Sequence, residues 1–375
     1  MIFKRCIQEC VEFGYHEGCQ ELGITHLCFA DDLFVFTRGD VHSVDILKRA
    51  LDRFGSCSGL RPNLTKSEIF FGNVPEDTKA AILAHLPFTA GTFPIRYLGV
   101  PLAASKLKVS DFAPLVLRVK QRIHNWKHKF LSFGGRRQLI ISVLQSLQLF
   151  WMTVFMIPAG IIHELEALFR DFFWAQGHSS RGKCRISWDD VCKPRECGGL
   201  GFKRLATWNR VLLTKHLWDI LIRRQSMWVR WIHRMYIWHR PVWTIPIRHT
   251  WSWIFRKIMD LRQHIRGFVR VSVGDGRNTN AWEDSWLHDG PLSAHLPYRY
   301  LCGNGLDHSA SVHDMIDVIG NAWPTEWVIR YPNLSNVVVP TLGTAKDLVE
   351  WRDSQGVSLP FSASNVWSSL NGPYL

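Results

Sequence analysis

The sequence predicts an α+β fold in three parts: alternating strands and helices over residues 1–105, a mainly helical stretch over 106–268, and a small β-containing region over 269–375. The first part follows from two apolar runs that flank a short polar link between Ile24 and Thr37, and from helical periodicity just beyond it. Long amphipathic stretches between 110 and 265 predict the second. The third follows from the alternation Val269-Arg270-Val271-Ser272-Val273, which runs into Gly274-Asp275-Gly276. With 375 residues, 46% of them hydrophobic, the chain is long enough for two or three domains and a sizeable core.

Taken in order, residues 24–37 read as a hairpin because Ala30-Asp31-Asp32 is a link of hairpin length between two strand-like runs. Val44, Leu47, Leu51 and Phe54 share one face of a helix from Val44 to Cys57. Ile69 to Gly72 reads as a strand, Asp77 to Leu86 as a helix, and Ile95 to Leu102 as a strand or hairpin. Leu139 to Ile157 carries no charge and approaches the length of a membrane span. Ser142, Gln145, Ser146, Gln148 and Thr153 interrupt it, so a buried helix is the expectation, with no membrane partner. After Val273 the Asp-Gly turn predicts that the chain resumes as a strand toward Trp282. The last hundred residues read as acidic, loop-rich and poorly packed.

Charge is distributed in blocks. Residues 1–117 hold 12 Lys/Arg against 13 Asp/Glu, residues 118–270 hold 28 against 8, and residues 271–375 hold 5 against 11. The net +13 therefore originates in the middle third, which would attract a polyanion through counterion release. From Arg118 to Ile140 there is no acid, and Lys127, Lys129, Arg136 and Arg137 are the candidate nucleic-acid-binding residues. Farther on, Trp208, Trp218, Trp228, Trp231, Trp238, Trp243, Trp251 and Trp253 alternate with arginines. Such tryptophans can stack on bases, but at these spacings the expectation is that they anchor a core.

The most informative stretch is the hairpin itself, where Asp31 and Asp32 occupy the tip. A carboxylate pair on a rigid turn suits Mg²⁺, a hard cation that takes oxygen ligands in octahedral geometry. Two-metal phosphoryl transfer needs carboxylates from at least two chain segments. Upstream of Asp31 the only acids are Glu9, Glu12, Glu17 and Glu21, and none is an aspartate.

Phe29-Ala30-Asp31-Asp32 resembles the catalytic box of reverse transcriptases, in the form found in plant non-LTR (LINE-type) retrotransposons. Further boxes follow in that family's order. Gly59-Leu60-Arg61-Pro62-Asn63-Leu64-Thr65-Lys66-Ser67 resembles the next palm motif, and Tyr97-Leu98-Gly99-Val100-Pro101-Leu102 the primer-grip hairpin. Trp126 through Pro158, with Gly134-Gly135-Arg136-Arg137 and Ser142-Val143-Leu144, resembles the thumb. Trp188, Cys192-Lys193-Pro194, Gly198-Gly199-Leu200-Gly201 and Trp218 resemble the connection, and Phe361-Ser362-Ala363-Ser364 with Trp367 the start of a zinc-binding module.

The resemblance implies RNA-templated DNA synthesis. Asp31 would hold Mg²⁺ with Asp32 in support, Lys66 would approach the incoming triphosphate, and Tyr97, Leu98 and Gly99 would position the primer end. The implied partners are an RNA template and an RNA–DNA hybrid or DNA, in an intracellular, nuclear setting. It also implies that the fingers and first catalytic aspartate lie upstream of residue 20, so the expectation is an internal slice without polymerase activity of its own. A non-catalytic nucleic-acid-binding remnant is the alternative. The nine cysteines are odd in number and contain no C-x-x-C pair, so single thiols are expected rather than disulfides or a zinc site at His178, Cys184, Cys192 and Cys197.

Overall fold

Two neighbouring apolar runs pair antiparallel as β1 (His26–Phe29) and β2 (Asp32–Val35), with His26 opposite Val35 and Phe29 opposite Asp32. They belong to a computed structural model that describes Arg5, Ile7 and residues 12–102, 106–126, 131–174, 186–238 and 240–371. The chain divides into two compact units, 1–103 and 104–375, and its class is α+β.

In the first unit, Asp40 caps helix α1 (Val41–Ser58) by accepting the Ser43 N–H at 2.8 Å. Gly59, at φ 75°, ends the helix in the left-handed region that a side chain disfavours. The helix buries Val44, Ile46, Leu47 and Ala50 against Ile82 of α2 (Glu76–His85) and against Leu86, Ile7 and Phe13. Around α2 the chain makes a small crossover, because β3 (Glu68–Ile69) and β4 (Thr89–Ala90) pair in parallel. The strand expected over Ile69 to Gly72 is thus only two residues long and begins one residue earlier. A second hairpin, β5 (Ile95–Tyr97) and β6 (Val100–Leu102), closes the unit.

In the second unit, α3 (Ala113–Trp126) turns Leu115, Val116, Val119 and Ile123 inward. It packs on α4 (Ala159–Trp174), where Lys120 meets Glu164 at 2.7 Å and Trp126 approaches Phe172. Leu139 to Ile157 does not form the single helix expected of it. An α-helical turn to Leu139 opens into a π-helical turn over Ile140–Leu144, breaks at Gln148, resumes over Leu149–Val154, and becomes extended at Phe155. The end of this helix at Val154 has a physical cause. Buried Asn209 donates to the carbonyls of Met152 and Phe155 and accepts the Ile157 N–H, so a side chain takes over bonds that a helix would have made itself. Among the described residues no helix is long and apolar enough to cross a membrane.

Helix α5 (Leu205–Leu221) begins at buried Glu166, which accepts the Leu205 N–H at 2.9 Å and lies beside Arg204. A carboxylate at that end matches the positive pole of the helix. Helices α6 (Met227–Ile232) and α7 (Trp253–Asp260) follow. Strand β7 (Val269–Ser272) does not pair with the residues after its Asp-Gly turn. Its partner is β8 (Leu348–Arg352), which in turn pairs with β9 (Ser358–Leu359). Asp347 explains why: it accepts the N–H groups of Gly274, Gly276 and Asn278 at 2.8, 2.8 and 3.0 Å, so the turn wraps a carboxylate instead of reversing a hairpin. Gly274 must be glycine here, since a Cβ would lie 2.3 Å from the Ala345 carbonyl oxygen.

The expectation of a poorly packed last hundred residues is also corrected. Trp282, Leu292, Leu301, Met315, Trp327 and Leu334 form one buried cluster. Trp351 of β8 and Val366 of helix α8 (Ala363–Asn371) are fully enclosed in another, built with α5 and α7. Phe361 stacks on Trp218 at 4.5 Å, so residues on both sides of position 268 share a single core.

Candidate catalytic hairpin and nucleic-acid surface

The β1–β2 register leaves Ala30 and Asp31 as a two-residue link. Ala30 alone has positive φ, 52°, the sign pattern of a type II′ turn, which usually has glycine there. Holding an alanine in that region costs about 1–3 kcal/mol. Asp31 sits in the link and Asp32 opens β2; both are exposed, and no described residue forms an ion pair with either. The hairpin is anchored to the unit's core at its far end, through Val35. Leu27, Phe29 and Leu33 remain exposed, Phe29 at 57%.

The second hairpin turns through Leu98 (φ 51°) and Gly99 (φ 81°), two consecutive positive values that define a type I′ turn. Tyr97 stands at the end of β5, and its ring meets Phe34 of β2 edge-on at 5.8 Å. Two segments distant in sequence, one with the acids and one with Tyr97-Leu98-Gly99, are therefore in contact. Lys66 lies in the exposed loop before β3. Asn63 organises that loop: its side chain accepts the Thr65 N–H and hydroxyl at 3.1 and 2.8 Å, and its carbonyl accepts the Lys66 and Ser67 N–H groups. Among the described residues no group of three or more His, Cys, Asp or Glu side chains could hold a metal ion. The acids at the tip thus offer ligands from one chain segment and do not complete a two-ion site with the residues described.

Lys127 and Lys129 lie outside the described residues, as do His178 and Cys184. Arg136 and Arg137 follow the N-cap Ser132, which accepts the Gly135 N–H. Both are half-buried and donate to backbone: Arg136 to the Phe173 carbonyl at 3.4 Å, Arg137 to the Leu200 carbonyl at 2.9 Å. Burial, and then Arg195 beside it, lowers the pKa of Arg137. Arg137 thereby clasps the Gly198-Gly199-Leu200-Gly201 loop, where a Cβ on Gly199 would lie 2.0 Å from the Lys193 carbonyl oxygen. Cys192 is buried beside it; burial, then the charge of Glu166, pushes its thiol far up and keeps it protonated.

Sequence spacing treats the middle tryptophans as one class, and the structure separates them. Trp218, Trp243 and Trp251 are buried in the core, whereas Trp228 and Trp238 are exposed. A cleft of about 290 Å³ in the second unit has Arg223, Trp243, Asp284, Lys346 and Asp347 in its wall. Asp284 accepts the Trp243 Nε1–H at 2.8 Å and the Asn280 N–H at 2.7 Å. By accessible area it is half-buried, but its carboxylate is densely surrounded, and that desolvation pushes its pKa up to about 6. No motif in the sequence marks this acid.

No protein-family profile matches the chain. It is similar to an Arabidopsis thaliana protein that carries the name ribonuclease H protein, with 28% identity over 269 residues, which are 68% of this chain and 42% of that protein. It is also similar to an uncharacterised mitochondrial protein of the same plant, with 27% identity over 146 residues, 38% of this chain and 94% of the relative. The chain thus spans less than half the length of the first of these relatives.

Proposed function

We propose that this chain is the palm, thumb and connection portion of a reverse transcriptase of the plant non-LTR retrotransposon type, and that its partner is an RNA–DNA hybrid. One observation carries the reading: the Asp31-Asp32 hairpin and the Tyr97-Leu98-Gly99 hairpin meet through Phe34 and Tyr97. A polymerase needs its carboxylates and its primer-positioning loop side by side, because the reacting groups must be held in near-attack geometry. The block of 28 cations against 8 acids over residues 118–270 supports a polyanionic partner. The name of the longer relative, a ribonuclease, is that of an enzyme acting on nucleic acid.

On this reading Asp31 and Asp32 are one half of a Mg²⁺ site. Two-ion chemistry requires ligands from a second segment, and the described residues do not provide them. The chain alone is therefore proposed to bind without polymerising. Primer extension on an RNA template with Mg²⁺ and dNTPs tests this: no template-dependent incorporation is expected, and incorporation that Asp31→Ala abolishes would overturn the proposal of an inactive chain. A purely binding remnant, favoured by the same block of charge, predicts salt-dependent affinity for hybrids that Lys127→Ala and Lys129→Ala weaken and Asp31→Ala does not. Every lysine–phosphate pair that such a substitution removes should flatten the log–log salt slope by about 0.9.

A further inference from the structure

A second acid-free basic stretch lies outside the motifs above. From Ile220 to Met259 there is no Asp or Glu, while Arg223, Arg224, Arg230, Arg234, Arg240, Arg248, Arg256 and Lys257 all fall in that span. Within it, α6 continues without interruption into a π-helical turn over His233–Ile237. Val229, Ile232 and Ile237 of this helix are buried, so its apolar face is already used by the core. The opposite face exposes Trp228, Arg230, Arg234, Met235 and Trp238. The guanidinium of Arg234 lies over the Trp238 ring, 4.5 Å from its centroid.

Trp238 is exposed to 56%, and its backbone has φ 44°, a region that bulky residues rarely adopt. A π-turn ends on it, with its N–H bonded to the His233 carbonyl at 2.8 Å. Such turns recur at functional positions because they redirect the side chains that follow. Trp228 lies in the first turn of the helix and Trp238 just past its last, so the two indoles bracket it.

We propose that the face of residues 228–238 binds single-stranded nucleic acid, with Trp228 and Trp238 as stacking platforms for unpaired bases and Arg230 and Arg234 as phosphate ligands. Indole faces accept any base, and an arginine stacked on an indole still presents its planar fork to a phosphate. A duplex offers no base face for stacking except at its ends. A bilayer fits less well, because an interfacial helix needs a free apolar face and this one is committed to the core. The inference stands on the chemistry of this surface and does not require the polymerase reading.

The test uses the full chain and three probes: labelled oligo(dT), an abasic oligonucleotide of equal length and charge, and an RNA–DNA hybrid duplex. Trp238→Ala and Trp228→Ala should each weaken oligo(dT) binding about tenfold and leave the abasic probe nearly unaffected, while Trp238→Phe retains most of the affinity. Arg234→Gln should weaken both single-stranded probes. Loss of hybrid binding by the wild type, with oligo(dT) binding and its tryptophan dependence intact, supports this surface and counts against the hybrid-binding reading. Equal affinity of wild type and both alanine variants for oligo(dT) would overturn the inference, as would equal losses on the abasic probe. Flotation with phosphatidylserine-containing vesicles that depends on Trp238, while oligo(dT) binding does not, would also overturn it.

Discussion

Two strand-forming segments of this chain, each leading into a turn sequence, meet opposite fates. The β1–β2 hairpin closes locally across Ala30-Asp31, without glycine, and leaves Leu27, Phe29 and Leu33 in solvent. Strand β7 ends in Gly274-Asp275-Gly276, a strong turn sequence, yet pairs with a strand from the far end of the chain and buries its neighbour Trp351 completely. The difference is in what the turn residues bond to. Among the described residues nothing claims the acids of the first turn, whereas the second is organised around Asp347, whose carboxylate accepts three of its N–H groups. A turn sequence sets local backbone geometry, and the available bonding partners decide whether that geometry becomes a hairpin.

The sharpest way to break this comparison is to damage each segment equally. Trp351 is fully buried and packs against Trp218, Phe268 and Phe361. Trp351→Ala should cost about 3–5 kcal/mol in chemical denaturation, because it leaves a large cavity in the shared core. Phe29→Ser should move stability by no more than about 0.5 kcal/mol and reduce aggregation, since it removes exposed apolar surface. Similar losses from the two substitutions would mean that the first hairpin is covered in solution.

Asp347→Ala comes next, at about 2–3 kcal/mol, because it strands N–H groups of a folded loop. Burial alone would raise this carboxyl, but the N–H bonds of Gly274, Gly276 and Asn278 outweigh it and hold it below the ordinary carboxylate range. A depressed folded pKa contributes stability above the unfolded value that is lost as the pH falls through the folded one. The Asp347 contribution is therefore intact above about pH 4 and disappears in more acidic solution. In Asp347→Ala that acid-limb loss should be missing from a pH titration of the thermal midpoint.

Asp284 provides the opposite sign. Its folded pKa, about 6, lies above the unfolded value, so between about pH 4 and 6 the folded state holds a proton that the unfolded state has released. Stability from this group should fall as the pH rises through that window, by at most about 1.4 kcal/mol per pH unit. Asp284→Asn should abolish the slope between pH 4 and 6. A slope that survives the substitution would assign it elsewhere.

Legibility in the sequence followed the range of the interactions. The helix at Val41–Ser58 could be read because its cap, its apolar face and its terminal glycine are all local, and both hairpins of the first unit for the same reason. Leu139–Ile157 reads as one helix from its own residues because Asn209, which ends it at Val154, lies far along the chain. The packing of the last hundred residues could not be read because Trp351 and Phe361 have no nearby partners in sequence; theirs are Trp218 and Phe268. At the candidate site, the acidic turn pointed to Asp31 and Asp32, and the family resemblance to Tyr97-Leu98-Gly99. That Arg136 and Arg137 hold carbonyl groups could not be read, since no pattern distinguishes a carbonyl clasp from a phosphate ligand. The exposed pair Trp228 and Trp238 was hidden for a similar reason, because core and surface indoles alternate at the same spacing.

The smallest effect probes the hairpin tip itself. Ala30 sits at φ 52° because the register of β1 and β2 leaves room for only two linking residues. Glycine adopts that backbone without the clash of a Cβ, though it gains freedom in the unfolded chain. The two terms oppose, and the relief of strain is the larger, so Ala30→Gly should stabilise the first unit by about 0.5–1 kcal/mol. Asp31→Gly, one position along, relieves nothing, since Asp31 is not among the residues at positive φ. Hydrogen exchange at the β1–β2 amides would separate the two variants: greater protection in Ala30→Gly alone matches a strained two-residue turn. Equal gains in both would show that the link is longer and looser than this register, and that the acids do not stand on a rigid tip.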